Sequence, residues 1–128
     1  MNDVPHVFVC GGRDFVDEFT LAGALKTACK GLSKVIIVHG ACPSGADQLA
    51  DDWGLSKRHT VKRFHADWST HGKAAGPIRN AEMVDYLKTV QLVAAIVCWD
   101  GKSKGTADMV RRLDEAKIKY RLISYKGK

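Results

Sequence analysis

The chain has 128 residues, 45% of them hydrophobic and 27% charged, with a formal net charge of +6. These values fit one globular domain with a single buried core and exclude a fibrous or disordered chain; no apolar run approaches the roughly 20 residues of a membrane span. The charge is uneven, because the chain up to Asp100 carries 11 basic and 11 acidic residues, while the 28 residues from Gly101 onward carry 9 basic and 3 acidic, an excess that favours anionic partners.

Cys10, Cys29, Cys42 and Cys98 form no CxxC pair and read as thiols of a reducing cytosol. The N-terminus has no basic n-region, so no signal peptide is read and a cytoplasmic location is expected.

The run VPHVFVCGG (residues 4–12) is short, apolar and closed by glycines, the pattern of a buried strand. Leu21, Leu25, Ala28 and Leu32 then recur at helical spacing, with Asp17 and Glu18 where the helix dipole favours acids. KVIIVHG (34–40) is a β-branched second strand. Ser44 stands as N-cap to a helix whose stripe is Ala46, Leu49, Ala50 and Trp53.

HTVKRF (59–64) reads as a third strand, polar enough for the edge of a sheet, and a long loop follows it to Asn80. Pro77 suits the first turn of the next helix, with Met83, Val84, Leu87 and Val90 on its buried side. VQLVAAIVCW (90–99) is the most apolar stretch and predicts a central strand. Thr106 caps a helix through Met109, Val110, Leu113 and Ala116, and KYRLISY (119–125) closes the chain as a strand.

Alternating strands and helices predict an α/β fold: a Rossmann-like three-layer sandwich with a mostly parallel sheet of about five strands, built as one domain over 1–128. Ligands of such sheets bind beyond the carboxyl ends of the strands, and four loops rich in glycine and cations fall there. The first holds Gly11, Gly12, Arg13 and Asp14; the second His39, Gly40, Ala41, Ser44, Gly45 and Asp47. The third holds Trp68, Lys73, Gly76, Arg79 and Asn80; the fourth Lys102, Ser103, Lys104, Gly105 and Thr106.

Each loop has an ordinary explanation in turn chemistry, but four on one edge favour an anionic ligand. Glycines let peptide N–H groups approach it, and helix N-termini supply a matching field. In this arrangement Pro77 and the small residues before it bring Arg79 onto a phosphate, Asn80 is free to read a sugar or base edge, and Trp68 can stack on a base. No G-x-G-x-x-G or P-loop pattern is present, so ordinary dinucleotide and NTPase readings are disfavoured. The five histidines show no H-x-x-x-H or H-E-x-x-H spacing, so neither metal nor cofactor is expected.

The ordered set GGRDF, HGACPSGADQLADDW, FHADWSTHGKAAGPIRNAEM and GKSKGTADMV resembles the YspA-type branch of the SLOG superfamily, named for the DNA-processing protein DprA (Smf) and the LOG "Lonely guy" proteins. The resemblance implies a Rossmann-like domain that binds nucleotides, nucleotide-derived signals or, in DprA relatives, DNA. Arg79 and Met83 resemble the arginine and methionine of the LOG motif R-K-x-x-M, with Asn80 in place of its lysine, and Gly105 and Thr106 resemble the end of P-G-G-x-G-T-x-x-E. Gly101, Lys102 and Ser103 replace the start of that motif, and Met109 stands where LOG enzymes carry a catalytic glutamate. Methionine cannot act as acid or base.

The leading expectation is therefore a protein that binds a nucleotide or nucleotide-derived signalling molecule, as sensor or sequestering protein. The alternative is a LOG-like hydrolase cleaving an N-glycosidic bond, for which Asp14, Asp47 or Asp108 would have to supply the carboxylate. DprA-like nucleic-acid binding ranks third. Homo-oligomers are expected from the resemblance, since LOG relatives form dimers or larger assemblies.

Overall fold

The computed structural model describes residues 4–127. Five strands, β1 (Pro5–Gly11), β2 (Ile36–His39), β3 (Thr60–Arg63), β4 (Gln91–Trp99) and β5 (Arg121–Ser124), form one sheet in the order β3-β2-β1-β4-β5. Every pairing is parallel. The helices α1 (Glu18–Ala28), α2 (Gly45–Ser56), α3 (Trp68–His71), α4 (Ala75–Leu87) and α5 (Lys104–Glu115) supply the crossovers. A strand covered on both faces must be apolar along its whole length, and β1 buries five consecutive residues from His6 to Cys10.

Alternation along β1 divides the core. Val7 and Val9 face Leu21, Leu25, Ala46 and Ala50 of α1 and α2, while Phe8 and Cys10 face Met83, Leu87, Met109 and Leu113 of α4 and α5. Burying one such side chain contributes about 1.5–3 kcal/mol, so the three-layer arrangement follows from the apolar stripes of four helices. The polar His6 is accommodated because Nδ1 and Nε2 bond the Val4 carbonyl and the Tyr86 hydroxyl at 2.6 and 2.7 Å.

The chain runs from β1 outward to β2 and β3, then returns to place β4 and β5 on the other side. The crevice where strand order reverses, beyond the ends of β1 and β4, is where ligands of open parallel sheets bind. β3 is an edge strand as its polarity implies, and β4 lies in the sheet interior.

Three local readings change. The stretch before Pro77 is not all loop: Trp68–His71 forms α3, a 3-10 turn follows over Gly72–Ala74, and α4 begins at Ala75. Asp67 starts α3 by accepting from the Thr70 N–H at 3.1 Å, so the serine and threonine after it belong to a capped turn. Thr106 is the third residue of α5 rather than its cap, which is Ser103. Ser44 does occupy the N-cap position of α2, but its hydroxyl donates to the Arg13 carbonyl at 3.0 Å instead of receiving a helix N–H.

Candidate functional site

The ends of β1, β2 and β4 and the N-terminal turns of α2, α4 and α5 enclose a cavity of about 670 Å³. Its glycines hold the loops at approaches that a side chain would block. Gly45 has φ +73°, and a Cβ there would strike the Gly12 carbonyl; the same carbonyl accepts from the Ala46 N–H at 3.3 Å. The first two loops are thus fastened together, with the start of α2 against the end of β1.

Arg79 crosses the cavity wall. Its Nη1 donates to the Gly40 carbonyl at 2.5 Å and its Nε to Asn80 Oδ1 at 3.1 Å. A Cβ on Gly40 would lie 2.9 Å from Nη1, so the guanidinium rests directly on glycine backbone. On its other side, a Cβ on Gly76 would lie 3.5 Å from the Trp68 ring and 4.0 Å from Arg79 Nη2. Trp68, Gly76, Arg79 and Gly40 therefore follow one another along the wall. Trp68 is 50% exposed, an indole at the mouth that no core packing fully covers.

Asn80 does not stand ready for a ligand. It is buried, and its amide nitrogen donates to Asp108 Oδ2 at 3.0 Å and to the Gly105 carbonyl at 3.3 Å, while its oxygen receives Arg79. An amide with both ends engaged joins α4 to α5 and fixes the guanidinium. Asp108 is similarly occupied, accepting from Arg111 at 2.7 Å and Arg112 at 2.9 Å. Partial burial raises its pKa, but the hydrogen bonds from Arg112, Asn80 and Arg111 outweigh this and hold it below the ordinary carboxylate value. Asp14 Oδ1 accepts from the Tyr125 hydroxyl at 2.6 Å. Met109 is buried in the core beside Met83, and both reach the cavity floor.

Asp47 differs from the other two carboxylates. It forms part of the cavity wall, only 6% exposed, with Oδ2 accepting from the Cys42 N–H at 3.2 Å and Oδ1 without a partner. Burial raises its pKa, against the opposing influence of His39, the Cys42 N–H, Arg79 and the Gly40 N–H.

Of the residues expected at the site, Gly11, Gly12, Arg13, Asp14, Gly40, Ala41, Asp47, Trp68, Lys73, Gly76, Arg79 and Asn80 line this one cavity, together with Ser103, Lys104, Gly105 and Thr106. His39, Ser44, Gly45 and Lys102 lie outside its lining. His39 is buried behind it: Nε2 bonds Asp51 at 2.7 Å and Nδ1 accepts from the Ala41 N–H at 2.9 Å, which places the imidazole proton on Nε2. Arg63 completes the group with two bonds to Asp51, at 2.7 and 3.1 Å. Ala41, at φ +59°, is thus held in a left-handed conformation by a histidine that does not itself reach the cavity.

Sequence reasoning missed Asp51 and Arg63. The signal was strand register, since His39 and Arg63 are partners across β2 and β3, and register is not written in either segment alone.

α5 opens onto the cavity uncapped. Ser103 offers no side-chain bond to a helix N–H, whereas Asp17 and Asp67 cap α1 and α3 through the Thr20 and Thr70 N–H groups. The loop before α5 is set by Asp100, whose Oδ1 accepts from the N–H groups of Lys102 and Ser103 at 2.9 and 2.8 Å. An uncapped first turn flanked by Lys104 leaves peptide donors directed at the crevice. No group of metal-ligating side chains occurs among the described residues, and none of their helices is long and apolar enough to cross a membrane.

Fold and crevice define a Rossmann-like α/β protein with a cation-lined cavity at the switch point of its sheet. The chain belongs to the YspA, cpYpsA-related SLOG family, whose family model matches residues 5–71, from β1 through α3. It is also 36% identical over 121 residues to the Gene 61 protein of Mycobacterium phage D29, an alignment covering 88% of this chain and 90% of that protein. No solved structure matches it.

Proposed function

We propose that the protein binds a nucleotide or a nucleotide-derived signalling molecule in this cavity and acts as a sensor or sequestering protein. The observation that carries the reading is the wall itself: a half-exposed indole, a guanidinium on glycine backbone and an uncapped helix start, all around one cavity of about 670 Å³. Arg79 and the α5 N-terminus suit phosphate, and Trp68 suits the flat face of a base. Family membership supports a nucleotide-related ligand.

Binding without cleavage is favoured over hydrolysis. Asp14 and Asp108 are engaged by Tyr125 and by Arg111, Arg112 and Asn80, Asp47 is buried with Oδ2 held by the Cys42 N–H, and Met109 offers no proton. The test mixes the protein with nucleotides, cyclic oligonucleotides and ADP-ribose derivatives, removes what is unbound, denatures by heat and identifies what is released. The expected result is an intact ligand, captured at least about tenfold less by Arg79→Ala, the scale of one lost charge-assisted hydrogen bond. Release as base and sugar phosphate would make the protein a hydrolase instead.

A further inference from the structure

Single apolar side chains on a surface are ordinary, but two together beside an open depression mark an interaction surface. Val16 and Phe19, at the entry to α1, are 79% and 85% exposed. Neither lines the nucleotide cavity. Along α1, Phe19, Gly23 and Lys26 recur at helical spacing and are all exposed, with Lys30 just past the helix end. They form one outward face, opposite the buried Leu21, Ala24 and Leu25. The face is open at its middle, because a Cβ on Gly23 would meet nothing within 4 Å.

The same face adjoins a depression of about 710 Å³ between the later part of α1 and the end of α2. Lys26 and Thr27 line it from α1, and Trp53 and His59, with ring centroids 5.6 Å apart, line it from the end of α2 and the residue before β3. Its charged lining is Lys26, Lys30 and Lys57, with no carboxylate. None of the three lysine side chains has an ion pair among the described residues, and neither has the exposed Glu18 in the first turn of α1. Helix dipoles explain an acid at one end of α1 and cations at the other. They do not explain a bare phenylalanine one turn from an aromatic-lined depression.

Phe19 is not among the residues lining that depression; it stands about one turn before it along the helix. A second copy laid antiparallel along α1, with Gly23 near the two-fold axis, brings each Phe19 opposite Thr27 of the other copy, at that copy's depression. The same operation sets Glu18 of each copy towards Lys26 and Lys30 of the other. Ring meets depression and acid meets base twice over, whereas a head-to-tail contact would leave one ring and one depression uncovered. We infer that the outer face of α1 is a self-association surface on which two copies pair antiparallel, each seating Phe19 in the Trp53–His59 depression of the other. This face shares no residue with the nucleotide cavity, so the inference stands apart from the ligand proposed above.

The experiment is sedimentation equilibrium of the full chain over a roughly hundredfold range of protein concentration, so that mass action reveals a monomer–dimer equilibrium. It compares wild-type protein with Phe19→Ser, Glu18→Lys, Lys26→Glu and the double variant Glu18→Lys/Lys26→Glu. All three positions are exposed in the single chain, so each variant should keep the fold, as circular dichroism checks. Wild-type protein should dimerise. Phe19→Ser should raise the dimer dissociation constant at least about 100-fold, because each dimer loses two buried rings. Each single charge reversal should raise it about threefold or more, and the double variant should return it towards the wild-type value.

Wild-type protein that stays monomeric throughout the range overturns the inference and leaves the face to a different protein. A dimer that Phe19→Ser leaves intact overturns it in favour of another surface. A dimer weakened by Phe19→Ser and by both single reversals, but not restored in the double variant, overturns it as well, since Glu18 and Lys26 would then not meet across the pair.

Discussion

At the scale of single residues, backbone access matters as much as side-chain charge. Gly45 meets both conditions under which only glycine serves, a left-handed φ of +73° and a carbonyl where its Cβ would go. Gly45→Ala must therefore displace either the Gly12 peptide or the start of α2, and is expected to destabilise the protein by about 2 kcal/mol or more, combining the left-handed penalty with overpacking. Gly23 is the control. It lies within α1 with no atom within 4 Å of its would-be Cβ, so Gly23→Ala should stabilise by roughly 0.5–1 kcal/mol through helix propensity. Urea denaturation of the two variants reads both signs, and similar destabilisation in both would remove the argument for Gly45. The sequence showed both glycines but could not separate them, since the distinction lies in what the first loop places opposite the second. The partners of Asn80 are illegible in the sequence for the same reason: nothing within IRNAEM shows that Asp108 and the Gly105 carbonyl will take its amide.

Elements are held in register around the cavity by one carboxylate. Asp51 on α2 bonds His39 at the end of β2 and Arg63 at the end of β3, and His39 in turn fixes the Ala41 N–H. The hydrogen bonds from Arg63, with a further contribution from His39, hold the Asp51 pKa below its ordinary value of 3.8 despite some desolvation. A carboxyl whose pKa is depressed by folding stabilises the native state fully above its unfolded value and loses that contribution as pH falls through its folded value. Wild-type protein should consequently lose stability below about pH 4 partly through this group. Asp51→Asn should cost about 1–3 kcal/mol at pH 7 and show a shallower decline on acidification, measured by urea midpoints from pH 3 to 7. A variant that parallels wild type across that range would show the network to be energetically idle. Element order, strand positions and the parallel sheet were legible because hydrophobic period and β-branched runs encode them locally. The Asp51 network was not, because it depends on three elements meeting at a register that no single segment specifies.

Across the whole molecule, the positive excess of the C-terminal part does not gather into one groove among the described residues. Lys102 and Lys104 lie at the cavity end of the sheet, in the loop after β4 and at the start of α5. Arg111 and Arg112 are paired with Asp108, and Arg111 also with Glu115. Lys117 and Lys119 precede β5 and Arg121 begins it, so in a wholly parallel sheet these three sit at the edge opposite the cavity. Composition alone reported a basic end; the fold divides it between two ends and neutralises part of it. A nucleic-acid strand tracking a continuous basic groove would lose about 10³–10⁵ in affinity between 50 and 200 mM salt for six to ten phosphate contacts. A single nucleotide held by Arg79, Lys73 and an uncapped helix start engages far fewer, and its affinity should fall by less than about tenfold over the same range. Titrating a captured nucleotide and a single-stranded oligonucleotide at both salt concentrations decides between them. Weak salt dependence for the nucleotide, with no tight oligonucleotide binding at 200 mM, is the outcome the divided charge requires. Tight oligonucleotide binding with a steep salt slope would mean that charges on both ends of the sheet are bridged by one strand, and the cavity would not be the principal site.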